Sequence, residues 1–131
     1  MPKTWQEKFD TTKPPVIKVI DKRFADIQAG QTMSIATPRI IDTYVKNIPY
    51  GSKSTDKAMR NDLSKSYKTC PVTLGIFLRI ASEVAYKEFQ NGKSLEQITS
   101  FWRMVEANSP LAKKLDSGVD FILEQQIKED L

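Results

Sequence analysis

A chain of 131 residues, 40% hydrophobic and 27% charged, suits one soluble globular domain and is short for two. It has no histidine and a single cysteine, Cys70, which excludes an internal disulfide framework and a site built from Cys and His ligands. No spaced carboxylate loop of the calcium-binding type stands in for them, so no cofactor and no metal are expected, and the formal charge is a mild +4.

Met1-Pro2-Lys3-Thr4-Trp5 lacks a basic-then-apolar signal pattern, and no window approaches the ~20 apolar residues of a membrane span. A cytoplasmic protein with no membrane partner is expected. Residues 1–35 read as an arm, partly extended or mobile. Thr12-Lys13-Pro14-Pro15 stops any helix, since proline has no amide donor and clashes with the preceding turn. Val16-Ile17-Lys18-Val19-Ile20 is a β-branched run suited to a short strand, Gln28 to Thr32 with Gly30 reads as a turn, and Met33-Ser34-Ile35 as a short extended piece.

Thr37-Pro38 then starts a helix, with Ile40, Ile41, Tyr44, Val45 and Ile48 at helical spacing and Pro49-Tyr50-Gly51 as its end. A second helix is predicted after Ser54 as cap, with Asp56 at its positive end and Ala58, Met59 and Leu63 as its buried stripe. Tyr67-Lys68-Thr69 reads as a turn. A long helix starts near Pro71, its apolar side formed by Val72, Ile76, Phe77, Ile80, Ala81, Val84, Ala85 and Phe89. Its more polar face carries Gly75, Arg79, Ser82 and Tyr86, and Asn91-Gly92 ends it. Two helices joined by a tight turn, the second longer and preceded by basic residues, is the helix-turn-helix layout. A short helical stretch around Leu95 to Ile98, an extended run Phe101 to Val105 and a loop through Asn108-Ser109-Pro110 follow. An amphipathic helix from about Gly118, carrying Val119, Ile122, Leu123 and Ile127, closes the chain.

Charge sorts along this order. Lys46, Lys53, Lys57, Arg60, Lys65, Lys68 and Arg79 face only Asp56 and Asp62, whereas from Glu96 onward seven acids outnumber Arg103, Lys113, Lys114 and Lys128. A basic middle fits a nucleic-acid-facing surface, and it equally fits a solvated lysine-rich helix face.

Four segments, in order and spacing, resemble the alkylguanine-DNA alkyltransferases and alkyltransferase-like proteins from about Thr37 onward. Ile48-Pro49-Tyr50-Gly51-Ser52-Lys53-Ser54-Thr55 is similar to the segment opening that family's helix-turn-helix. Thr69-Cys70-Pro71-Val72-Thr73-Leu74-Gly75-Ile76 is similar to its recognition helix, Ser100-Phe101-Trp102-Arg103-Met104-Val105 to its Pro-Cys-His-Arg-Val motif, and Leu111 to Ile127 to its closing loop and helix. The resemblance implies a mainly α fold with a small β component, a winged-helix-like (helix-turn-helix) single domain over residues 36–131 behind the N-terminal arm.

Phe101 and Trp102 stand where the family has its alkyl-accepting cysteine and activating histidine. Neither side chain is a nucleophile or a base, so no enzyme is expected. The non-enzymatic, lesion-binding branch is the closer analogue, with double-stranded DNA, alkylated or not, and a repair protein as implied partners. Pro71 stands where the family's nucleotide-replacing arginine falls, and Asp56 near its rotating tyrosine. The expected DNA contacts are Lys53, Thr55, Lys57, Lys68, Thr69, Thr73 and Arg79, with Lys65 among the phosphate-attracting lysines, and the expected base pocket is Phe101, Trp102 and Arg103. Each has a structural counterpart. One aromatic packs in the core while the other shields its edge, and Arg103 braces its strand against the C-terminal helix through carboxylate or carbonyl contacts. Thr69 caps a helix, Arg79 is solvated, and Cys70 is a small, partly buried residue. The rival function is a protein-interaction or regulatory module that kept the fold and lost DNA.

Overall fold

The computed structural model describes residues 4–10, 16–64 and 68–131, about half of the chain helical around a small three-stranded sheet. Thr4 opens α1 (Trp5–Phe9) with a capping box, its hydroxyl accepting from Glu7 N–H at 3.1 Å. Strands β1 (Val16–Val19) and β2 (Thr32–Ile35) pair antiparallel, Val16 opposite Ile35 and Val19 opposite Thr32. Helix α2 (Pro38–Lys46) has the expected Thr37 cap and Pro38 start, and buries Ile41 and Val45. Helix α3 (Asp56–Leu63) is capped by Thr55, one residue later than Ser54. Ser54 is engaged elsewhere: its N–H donates to Arg103 C=O at 2.8 Å, and its hydroxyl shares a hydrogen bond with Tyr44 at 3.1 Å.

Lys68–Thr69 forms a strand, β3, parallel to β2 (Met33 opposite Lys68, Ser34 opposite Thr69), and not the predicted turn; Tyr67 and Lys65 lie outside the described residues, as does Thr12 to Pro15. The hairpin of β1 and β2 is not peripheral over its whole length. Ile20, Ile27 and Met33 are buried against Cys70, just ahead of the long helix, and so leave water on that face of the hairpin.

Helix α4 (Pro71–Gln90) spans 20 residues and ends as expected, Gly92 taking φ 107° while Lys93 N–H reaches back to Glu88 C=O at 3.1 Å. Its surface does not divide into one apolar and one polar side. Leu74, Leu78 and Ala85 enter the main core with α2, Met59 of α3 and Phe101–Val105. Ile80, Ala81 and Val84 enter a second cluster under Phe9 and Trp5 of α1. Ser82, expected on the polar side, is buried with its hydroxyl donating to Leu78 C=O at 2.7 Å, and Tyr86 packs edge-on against Phe121. Ile76, expected inside, is 52% exposed. A helix covered on two sides keeps little room for a solvated stripe.

Residues 95–98 form a turn and not a helical stretch. Phe101–Val105 is not extended. Phe101–Arg103 makes one 3₁₀ turn, with Arg103 N–H to Ser100 C=O and Met104 N–H to Phe101 C=O both at 3.0 Å. Three residues per turn fan successive side chains around the axis, so both aromatics go inward where a strand would admit one. Helix α5 (Pro110–Lys114) is capped by Ser109, and α6 (Gly118–Lys128) follows. Of α6's expected apolar face, Ile122 is buried, whereas Leu123 and Ile127 are exposed and Gln125 and Gln126 take the inner positions. Gln126 Nε2 donates to the carbonyls of Trp102 and Val105, both at 3.0 Å, which fixes α6 to the 3₁₀ turn. Among the described residues all three strands precede α4, and no helix is long and apolar enough to cross a membrane.

Candidate nucleic-acid interface

Of the expected base-pocket residues, Phe101 is 1% exposed, stacked on Phe121 with centroids 5.8 Å apart and edge-on to Trp102 at 5.5 Å. Trp102 is 2% exposed. Its indole N–H donates to Glu129 at 2.5 Å. Neither ring offers a face on which a base can stack, which corrects their expected placement: the space is filled from within by the two rings and Phe121. Trp102 and Arg103 border a cavity of about 660 Å³ that also touches Lys46, Tyr50, Gln125 and Glu129.

Arg103 has the bracing role that its position allows. Its Nε donates to Glu129 Oε1 and its Nη1 to Ile48 C=O, both at 2.8 Å. With the Ser54 N–H on its own carbonyl, Arg103 ties residues 48–54 to the 3₁₀ turn and to the end of α6. Glu129 is the residue that sequence reasoning missed. It accepts three donors, from Trp102, Arg103 and, at 2.9 Å, the N–H of Gly51. Burial pushes its carboxyl upward, but the bonds from Arg103, Trp102 and Gly51 outweigh that and hold it below the ordinary range. The only signal in the sequence is an acid just past a helix of amphipathic pattern, too common to single out.

Three of the four segments that carried the resemblance meet at another place, where α4 joins them through Leu78. A cleft of about 360 Å³ is lined by Thr55, Asp56 and Lys57 at the start of α3, Leu78 of α4, Met104 to Glu106 after the 3₁₀ turn, and Ser109 to Leu111. Lys53 stands at the Glu106 side, with its ammonium 2.8 Å from that carboxylate. Lys57 is exposed at the cleft. The hydroxyl of Thr55 is committed to capping α3, accepting from Ala58 N–H at 3.1 Å.

The remaining expected contacts are scattered. Lys68 lies 3.9 Å from Asp26 and also donates to the carbonyl of Asp26, so it is partly satisfied within the fold. Thr69 is buried, its hydroxyl shared with Ser34 at 3.2 Å; it caps no helix, and Cys70 occupies the N-cap of α4. Thr73 turns its hydroxyl back to Cys70 C=O at 3.3 Å. Arg79 points to the α1 side, 5.0 Å from the Trp5 ring and 3.5 Å from Lys114 C=O, and is not simply solvated. Cys70 is buried beside Ile20, Ile27 and Met33, and is not among the residues lining the cleft. No group of three metal-binding side chains occurs among the described residues.

The chain matches no family model, no curated protein and no solved structure.

Proposed function

We propose that the chain is a non-enzymatic DNA-binding protein of the alkyltransferase-like kind, with α3 and α4 as a helix-turn-helix in a winged-helix-like domain and the cleft behind them as the receptor for a modified base. One observation carries this reading. The opening segment through Thr55, Leu78 in the third turn of α4 and the motif through Val105, as much as about 50 residues apart in the chain, converge on a single cleft. Its floor of Leu78, Met104, Val105 and Leu111 is apolar and its rim bears Lys57, Asp56 and Glu106. A flat base fits the floor, the carboxylates accept from exocyclic amino groups, and the lysines attract phosphate without reading sequence.

The first two turns of α4 support the same reading. Gly75 and Ile76 are exposed, and a side chain added at Gly75 would meet nothing within 4 Å, so a groove wall can approach the backbone. Recognition helices use their N-terminal residues in this way. The rival reading, an interaction module that lost DNA, draws on a different fact: Lys53 and Lys68 already face Glu106 and Asp26.

A duplex titration separates them. With about three phosphate contacts, log affinity falls against log salt with a slope near −2.7, roughly fortyfold between about 50 and 200 mM. Lys57→Glu is expected to weaken plain and alkylguanine duplexes alike by about tenfold. Leu111→Trp, which fills the cleft, is expected to leave plain duplex binding intact and abolish any preference for the alkylated one. Absence of binding at low salt, or binding that ignores salt, overturns the DNA reading; equal affinity of the unmodified protein for both duplexes removes the base receptor.

A further inference from the structure

The sheet has the order β1-β2-β3, so among the described residues β1 has β2 on one side only. Ile20 N–H donates to Gln31 C=O at 3.1 Å, which makes the pair just beyond the strand end a hydrogen-bonded one. In an antiparallel ladder such pairs alternate with non-bonded ones. Lys18 and Val16 therefore direct their N–H and C=O toward β2, and Ile17 and Val19 direct theirs outward, where no described residue pairs with them. The same two residues are 59% and 66% exposed, and their side chains share one face. An open edge that combines free main-chain groups with exposed β-branched side chains is what folded proteins ordinarily cover.

We propose that this edge takes an extended acidic segment of a partner protein as a fourth strand. Charge selects the occupant. Lys18 stands mid-strand on the opposite face, exposed Lys22 and Arg23 follow at the hairpin, and Asp21 is the one acid beside them; Asp26 is already held by Arg60 at 2.6 Å. A segment with apolar residues against Ile17 and Val19 and a carboxylate opposite Lys18 satisfies both faces at once.

A second copy of this chain does not. Antiparallel self-pairing needs residues of equal parity opposite each other, since directly opposed side chains share a face. Pairing Ile17 with Val19 sets Lys18 against Lys18, a like-charge pair. Pairing Ile17 with itself sets Val19 against position 15, a proline with no N–H to give, and pairing Val19 with itself sets Ile17 against the charged Asp21. The inference is independent of DNA binding, because β1 does not line the cleft.

The test uses a fluorescein-labelled, end-capped hexapeptide of alternating valine and glutamate, with a valine–lysine hexapeptide as comparator, titrated into the full chain by fluorescence anisotropy. The valine–glutamate peptide is expected to bind at least tenfold more tightly, and Lys18→Glu to reverse the preference. Val19→Pro removes one outward donor and no bond to β2, and is expected to weaken binding about tenfold. Hydrogen exchange gives a second readout: the peptide slows the amides of Ile17 and Val19 and leaves that of Lys18 unchanged. Equal affinity for the two peptides, or no slowing at Ile17 and Val19, overturns the proposal. So does a dimer in sedimentation that Val19→Pro dissociates, which would give the edge to a second copy.

Discussion

Glu129 collects donors from two neighbours of the 3₁₀ turn, Trp102 and Arg103, and from Gly51 of a distant stretch, so removing its carboxylate strands an almost buried guanidinium and an indole N–H together. Breaking one side of a buried pair is far costlier than never having had it. Glu129→Ala is expected to lower stability by about 3 kcal/mol, read by denaturant unfolding. Because this carboxyl is held below its ordinary value in the folded state, its contribution is complete above the unfolded glutamate value of about 4.3 and is lost as pH falls through the folded one. In the variant, the acid side of the stability profile should flatten. Glu83 has the opposite sign. One of its oxygens accepts from Asp116 N–H at 3.0 Å, the other is buried without a partner among the described residues, and burial raises its carboxyl. Its charged form costs stability as pH rises from the ordinary value through the raised one. Glu83→Gln is therefore expected to melt a few degrees higher than the unmodified protein at pH 7, with the gap closing toward pH 4.

At the scale of elements, local start and stop signals were legible: Thr37-Pro38 starts α2, and Pro71 and Asn91-Gly92 bound α4, where expected, although α2 ends at Lys46, ahead of Ile48 and the Pro49-Tyr50-Gly51 stop. What covers a helix is not local. The stripe on α4 was misassigned because α1 and the main core press on two different sides, so Leu78 is buried and Ile76 is open, although both are aliphatic residues of one helix. Leu78→Ala is accordingly expected to cost about 3 kcal/mol and Ile76→Ala well under 1 kcal/mol, measured by chemical denaturation. Equal costs would show that the two sides of α4 are covered alike. The 3₁₀ turn at Phe101–Arg103 was illegible for a related reason. Five bulky residues in a row satisfy a strand pattern, and only the carbonyls bound by Gln126 and the ring of Phe121 decide for a turn. The cleft, by contrast, was half visible: Thr55 was named from the sequence, whereas Met104, Glu106 and Leu111 joined it only through the fold.

For the molecule as a whole, the open question in the sequence was whether the first 35 residues belong to the same folding unit as the rest. The hairpin buries Ile20, Ile27 and Met33 against Cys70, at the N-terminal end of α4, and α4 then runs into the core that holds Trp102. Linkage of that kind through one helix couples the elements into one cooperative transition, whereas an arm merely resting on a domain opens at lower free energy than the domain itself. Ile27 is fully buried, so Ile27→Ala leaves a cavity worth about 2–4 kcal/mol. The difference appears at a distant probe. In a Trp5→Phe background Trp102 is the only indole, and it touches no residue of the hairpin cluster. If the hairpin and the helical core unfold together, Ile27→Ala shifts the denaturation midpoint read by Trp102 fluorescence by the same amount as the midpoint read by far-ultraviolet circular dichroism. If the hairpin is a detachable arm, Trp102 reports an unchanged midpoint while the strand signal is lost early, and the unity argued from the Cys70 cluster is wrong.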